Sequence, residues 1–128
     1  MTIANAGLSA EMEDYLEAIA DLESANGRAR VRDIATCLSV RMPSVTQALR
    51  SLTEKGYVRY EPYRPPALTP KGKRVAAAVQ RRHVVIRRFL MEVLHVEAAA
   101  ADRNACRLEH AMDREVLEHL TQFMDGLT

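Results

Sequence analysis

The sequence predicts a mainly α-helical protein with a winged helix-turn-helix in its N-terminal half. Three observations carry this. Alanine and leucine are abundant and only five of 128 residues are glycine, a composition that favours helix. The periodic segments up to residue 69 run helix, helix, turn, helix and short alternating hairpin. The charge is segregated behind a net value of +1. Residues 1–26 hold six acids and no Lys or Arg, residues 27–88 hold 15 basic against three acidic residues, and residues 89–128 hold three basic against eight acidic ones. A basic middle between acidic flanks is unusual for an enzyme surface and suits a domain that meets a polyanion.

The first helix is expected over 9–24, with Met12, Tyr15, Leu16, Ile19 and Leu22 on one apolar stripe and Asp14, Glu17 and Asp21 on the other side. Gly27 ends it. A short second helix covers 32–38, with Ile34, Ala35 and Leu38 inward and Cys37 packed beside them. After a brief turn, Pro43 suits the first position of a third helix. That helix runs to about Lys55, turns Val45, Leu49 and Leu52 inward, and stops at Gly56. The stretch Tyr57–Thr69 alternates and then breaks on Pro62, Pro65 and Pro66, which reads as a hairpin with a proline-stiffened tip. Thr69-Pro70 is an N-cap followed by a first-turn proline. The long helix it opens is expected to reach about Leu94, with His83 on the stripe of Val75, Val79, Ile86, Leu90 and Val93. Two further helices follow, over 98–111 and 113–125.

Helix, helix, turn, helix and wing is the order in which a third helix enters the major groove. Its outward residues have suitable chemistry. Gln47 can pair with adenine, Ser44 with base or phosphate, and Pro43 can meet thymine methyls. Arg41, Arg50, Arg59, Arg64, Lys71 and Lys73 would hold phosphates and set register rather than sequence.

The two cysteines, Cys37 and Cys106, make no disulfide framework. No apolar run approaches a membrane span and the N-terminus lacks signal-peptide shape, so the chain reads as cytoplasmic with reduced thiols. Candidate metal ligands lie in three distant segments: Asp14 with Glu17, then His83, then Cys106 with Glu109 and His110. Asp14 and Glu17 stand at i, i+3, and Cys106, Glu109 and His110 at i, i+3, i+4, so each set shares a helix face. Oxygen and imidazole suit Mn²⁺ or Fe²⁺, and a thiolate softens a site toward Fe²⁺, Co²⁺ or Zn²⁺. A second Leu-Glu-His at 117–119 follows the first by nine residues, about half a turn out of phase on one helix. With no other ligand types beside it, it reads as helix surface or dimer contact.

At this point the motifs resemble a known family. M-E-D-Y-L-E-A-I (12–19), V-R-D-I-A (31–35), P-S-V-T-Q (43–47), L-T-P-K-G (68–72), R-R-H (81–83) and C-R-L-E-H (106–110) occur in order. They resemble the diphtheria-toxin-repressor family of metal-activated transcriptional repressors, and in particular its short manganese-transport-regulator branch. The resemblance implies a homodimer with a winged-helix DNA-binding domain over 1–74 and a helical metal-binding and dimerisation domain over 75–128, lacking the SH3-like domain of the iron branch. It implies double-stranded operator DNA with an inverted repeat as partner, Mn²⁺ as co-repressor, and control of metal-uptake genes. It places ligands at Asp14, Glu17, His83, Glu109 and His110. Cys106 departs from the manganese pattern, which has glutamate there, and matches the iron pattern, so Fe²⁺ is the alternative. Arg87 stands where the iron pattern has a second-site glutamate. Two other readings remain: a winged-helix regulator sensing a small ligand or oxidation at Cys106, and a hydrolase with Glu109 as base. The hydrolase reading lacks a nucleophile and oxyanion donor, and leaves the basic block unexplained. The chain is expected not to be an enzyme.

Overall fold

A computed structural model describes residues 8–127; the first seven residues of the segment read above as lacking a signal peptide lie outside them. Among the described residues the elements are α1 (Ala10–Asn26), α2 (Val31–Leu38), α3 (Met42–Glu54), β1 (Val58–Arg59), β2 (Ala67–Leu68), α4 (Pro70–Arg88), α5 (Ala98–Ala111) and α6 (Arg114–Asp125). They form two compact units, one ending at Ala77 and the other starting at Ala78, so the division falls within α4. No helix of the described residues is long and apolar enough to cross a membrane.

In the first unit, Ser9 caps α1: its side chain accepts from the Met12 N–H at 3.1 Å. Gly27, at φ +79°, closes the other end by donating its N–H to Glu23. Tyr15, Leu16 and Ile19 are fully buried, and Met12 and Leu22 pack against them as partly buried neighbours. One core joins them to Ile34 and Ala35 of α2, to Val45, Ala48, Leu49 and Leu52 of α3, and to Val58 and Leu68 of the ribbon. Each large aliphatic side chain so buried contributes about 1.5–3 kcal/mol. Cys37 is not part of this core. It lies on the exposed side of α2, because the 100° step that buries Ile34 and Ala35 carries residue 37 off their face. Pro43 falls at the second helical position, because Arg41 is the N-cap and Met42 opens α3.

The wing is shorter than the alternation suggests. β1 and β2 are antiparallel and contribute two residues each, with Val58 opposite Leu68 and Arg59 opposite Ala67. Pro62, Pro65 and Pro66 carry no N–H, so the ladder cannot extend through the tip. The ribbon is tied to α1 by the Leu68 N–H, which donates to Glu23 Oε2 at 3.4 Å.

Thr69 begins α4 as expected. Its hydroxyl oxygen accepts from the Gly72 N–H at 3.1 Å and donates to the Gly56 carbonyl at 2.6 Å. Gly72 is required for a different reason. A Cβ there would stand 2.0 Å from the Tyr57 carbonyl oxygen, a backbone atom, and that carbonyl already accepts from the Thr69 N–H. Gly72→Ala is expected to destabilise the first unit by at least the roughly 1–3 kcal/mol typical of overpacking, read as a lower urea midpoint. An unchanged midpoint would show that helix and strand can separate at no cost.

In the second unit, Ile86 of α4, Ala105 of α5 and Leu117 of α6 form a small core with Leu90, Met112 and Leu120 against it. The α-helical ladder of α4 stops at Arg88 rather than near Leu94. Residues Phe89–Val93 form a wider π turn, closed by the Leu94 N–H on the Phe89 carbonyl and the Val96 N–H on the Leu90 carbonyl. Periodicity does not report this, since the apolar stripe survives a single widened turn.

Candidate metal centre and nucleic-acid interface

On α5 the buried residues are Ala101, Ala105 and Glu109, at i, i+4 and i+8. A glutamate therefore occupies the apolar stripe of this helix, and it is completely buried. Burying a carboxylate is costly unless cations or donors meet it. Glu109 Oε1 lies 3.7 Å from His83 Nδ1 and 3.7 Å from His110 Nε2. Cys106, one turn earlier on α5, places its sulfur 3.8 Å from the same His83 Nδ1. Ligand atoms of His83, Cys106 and Glu109 all fall within 4.8 Å of one another. That is about the spread spanned by atoms each ~2.0–2.3 Å from one ion, before small side-chain adjustment. Carboxylate oxygen, imidazole nitrogen and sulfur are a donor set that fits a divalent transition metal.

α4 carries Arg82 beside His83. Arg82 is buried and donates Nη1–H to the Glu109 backbone carbonyl at 3.0 Å, which pins the turn of α5 that carries Cys106, Glu109 and His110. His83 is half-buried, a less enclosed position than the stripe suggested. In the second Leu-Glu-His, Leu117 joins the core while the Glu-His pair lies on helix surface: His119 is exposed and Glu118 accepts from Arg114 Nε at 3.1 Å.

Asp14 and Glu17 belong to the first unit, both half-buried on α1. Their helix also acts on Cys37. Although the residue is exposed, partial desolvation of the sulfur first, then the charges of Asp21 and Glu17, hold its thiol above the ordinary value. Cys37 therefore stays protonated near neutral pH and is a poor nucleophile.

The third helix presents the face the sequence implied. Val45, Leu49 and Leu52 are buried, while Pro43, Ser44, Gln47 and Arg50 are exposed. Arg41 precedes the helix, and Arg59 and Arg64 lie on the wing, all exposed. Lys73 is exposed on the first turn of α4. Lys71 has another occupation. Its ammonium donates to the Lys55 carbonyl at the end of α3, at 3.0 Å, and sits 4.4 Å from the centre of the Tyr57 ring. Sequence reasoning passed over Arg28 and Arg30, which with Tyr60, Tyr63 and Arg64 line a shallow basic groove between the start of α2 and the wing. Their signal was available in the basic block. It also passed over Asp102, which lies four residues before Cys106 on the same face of α5.

A helix-turn-helix with a wing, followed by a small helical unit holding clustered metal-type ligands, defines a metal-responsive transcription regulator. Residues 7–65 match the model of the iron dependent repressor N-terminal DNA binding domain. Residues 69–128 match the model of the iron dependent repressor metal binding and dimerisation domain. The chain is 38% identical over 119 residues to an uncharacterized HTH-type transcriptional regulator of Methanocaldococcus jannaschii, covering 92% of this chain and 95% of that one. It is 36% identical over 112 residues to the transcriptional regulator MntR of Salmonella typhimurium, covering 88% of this chain and 71% of that one. Among solved structures, that of the manganese regulator SloR aligns with a TM-score of 0.77 at 30% identity over 89% of this chain. This chain spans 53% of the SloR chain. The protein belongs to the iron-dependent, or diphtheria-toxin, repressor family, in the branch of the manganese regulators.

Proposed function

We propose that the protein is a Mn²⁺-activated repressor, not an enzyme, that binds an inverted-repeat operator as a cytoplasmic homodimer and controls metal-uptake genes. The observation that carries this reading is the buried carboxylate of Glu109 beside His83, His110 and Cys106. Four ligand residues from one helical unit would hold the ion. Asp14 and Glu17 would add carboxylate oxygens from the first unit, an assignment supported by the family pattern and by the preference of Mn²⁺ for oxygen. A bound divalent cation supplies positive charge that offsets the clustered carboxylates. With the ligands of both units committed to it, the recognition helices of a dimer would be held at the spacing of two half-sites.

Val84, Leu108, Val116 and Phe123 are large apolar residues left exposed on the second unit. Apolar surface of this kind suits subunit association. SloR is described as a manganese regulator, which supports the choice of metal. A second reading, Fe²⁺ in place of Mn²⁺, is favoured by the sulfur of Cys106 within the ligand cluster.

Titration of operator DNA with and without Mn²⁺ tests the reading. Affinity is expected to rise by about 5–150-fold with metal, the range of common coupling energies. Equal affinity in both conditions would sink it. The same titration with Fe²⁺ under anaerobic conditions ranks the two ions.

A further inference from the structure

We infer that Asp102 is a positioning residue of the metal centre, fixing which ring nitrogen of His83 faces the other ligands; this rests on His83 being a ligand, as proposed above. The two nitrogens of His83 meet different surroundings. Nδ1 lies 3.8 Å from Cys106 Sγ and 3.7 Å from Glu109 Oε1. Nε2 lies 3.4 Å from Asp102 Oδ1. An ionised carboxylate can only accept a hydrogen bond. Of the two carboxylates beside the ring only Asp102 is within hydrogen-bond distance, which assigns the proton of neutral His83 to Nε2 and leaves the Nδ1 lone pair toward Cys106 and Glu109.

Asp102 is itself held. Arg87 Nε donates to the same Oδ1 at 2.6 Å. The arrangement is two pairs set one helical turn apart: His83 and Arg87 on α4, Asp102 and Cys106 on α5. Arg87 is 38% exposed and Asp102 51% exposed, so their ion pair adds little to stability; such pairs are worth about 0–1 kcal/mol. Orientation of the imidazole is the larger effect available to it. Carboxylates behind metal-bound histidines commonly set the tautomer and raise ligand basicity.

The first measurement needs neither metal nor variant. Nitrogen-15 spectra of metal-free wild-type protein, at a pH where His83 is neutral, are expected to show the Nε2–H tautomer; an Nδ1–H tautomer would overturn the assignment. Next, Mn²⁺ affinity is measured on two variants. Asp102→Ala is expected to weaken binding by about 10–100-fold and to erase the tautomer preference. Asp102→Asn keeps an accepting oxygen and is expected to retain the preference and most of the affinity. Equal Mn²⁺ affinity in wild type and Asp102→Ala would also overturn the inference. Failure of the wild type to bind Mn²⁺ at all would instead overturn the metal reading. Circular dichroism of each variant separates lost orientation from lost fold, and the wild-type tautomer decides the matter if Asp102→Ala does not fold.

Discussion

Glu109→Gln is expected to abolish the thermal stabilisation conferred by Mn²⁺ while leaving the metal-free protein no less stable. The two halves of this expectation have one cause. Glu109 is completely buried on a stripe otherwise made of Ala101 and Ala105. Taking its charge out of water costs several kcal/mol per ion before compensation, and a bound cation, added to the imidazoles of His83 and His110 at 3.7 Å, is proposed to complete that compensation. Glutamine keeps the shape and removes the charge, so metal-free stability is expected to hold or rise. In the proposed metal complex, the charge is what would hold the ion. At a free concentration 100 times the dissociation constant, wild type should gain about 2.7 kcal/mol by linkage, and the variant none. Calorimetry with and without Mn²⁺ reads both halves at once. A variant still stabilised by Mn²⁺ would show that Glu109 is a structural carboxylate and that the ion binds elsewhere.

The second large effect concerns DNA. Gln47→Ala is expected to lose about 1–3 kcal/mol on the operator, the worth of one bidentate base contact, and nothing on non-specific duplex. Gln47 is exposed on α3 opposite the buried Val45, Leu49 and Leu52, so its removal leaves the core intact. Arg64→Ala, on the wing, should weaken operator and non-specific DNA alike and reduce the salt slope by about one. Lys71→Ala should also reduce the slope, and should in addition loosen the end of α3, because its exposed ammonium keeps its charge while donating to the Lys55 carbonyl. Affinity measured across a salt series separates Gln47 from the two basic residues. A Gln47 variant that weakens all sequences equally would remove this residue from base readout.

Much of this was legible in the sequence. The order of elements and the inward face of α3 follow from a 3.6-residue period, and that period is hard to counterfeit over 13 residues. Gly27 and Thr69 mark helix ends because each supplies a group or a backbone conformation that an end requires, whereas Ser9, expected as the first helical residue, caps the helix instead. The second unit was less legible where geometry depends on partners. The π turn over Phe89–Val93 turns on which carbonyl receives a given N–H, and composition does not encode that. Cys37 is expected beside Ile34 and Leu38, and the phase of α2 turns it outward instead. Asp102 drew no reading from the sequence, since its contact is with His83, nineteen residues away. Gly72 gave no warning, because the atom that forbids a side chain there belongs to Tyr57.

The brevity of the hairpin has a consequence for how copies of the molecule meet. Two pairs of residues and a tip with three prolines leave almost no exposed ladder for a foreign strand to join. Proteins crowded onto neighbouring stretches of duplex risk edge-to-edge adhesion. Among the described residues the wing is the only ribbon, and it offers such a partner two residues per strand.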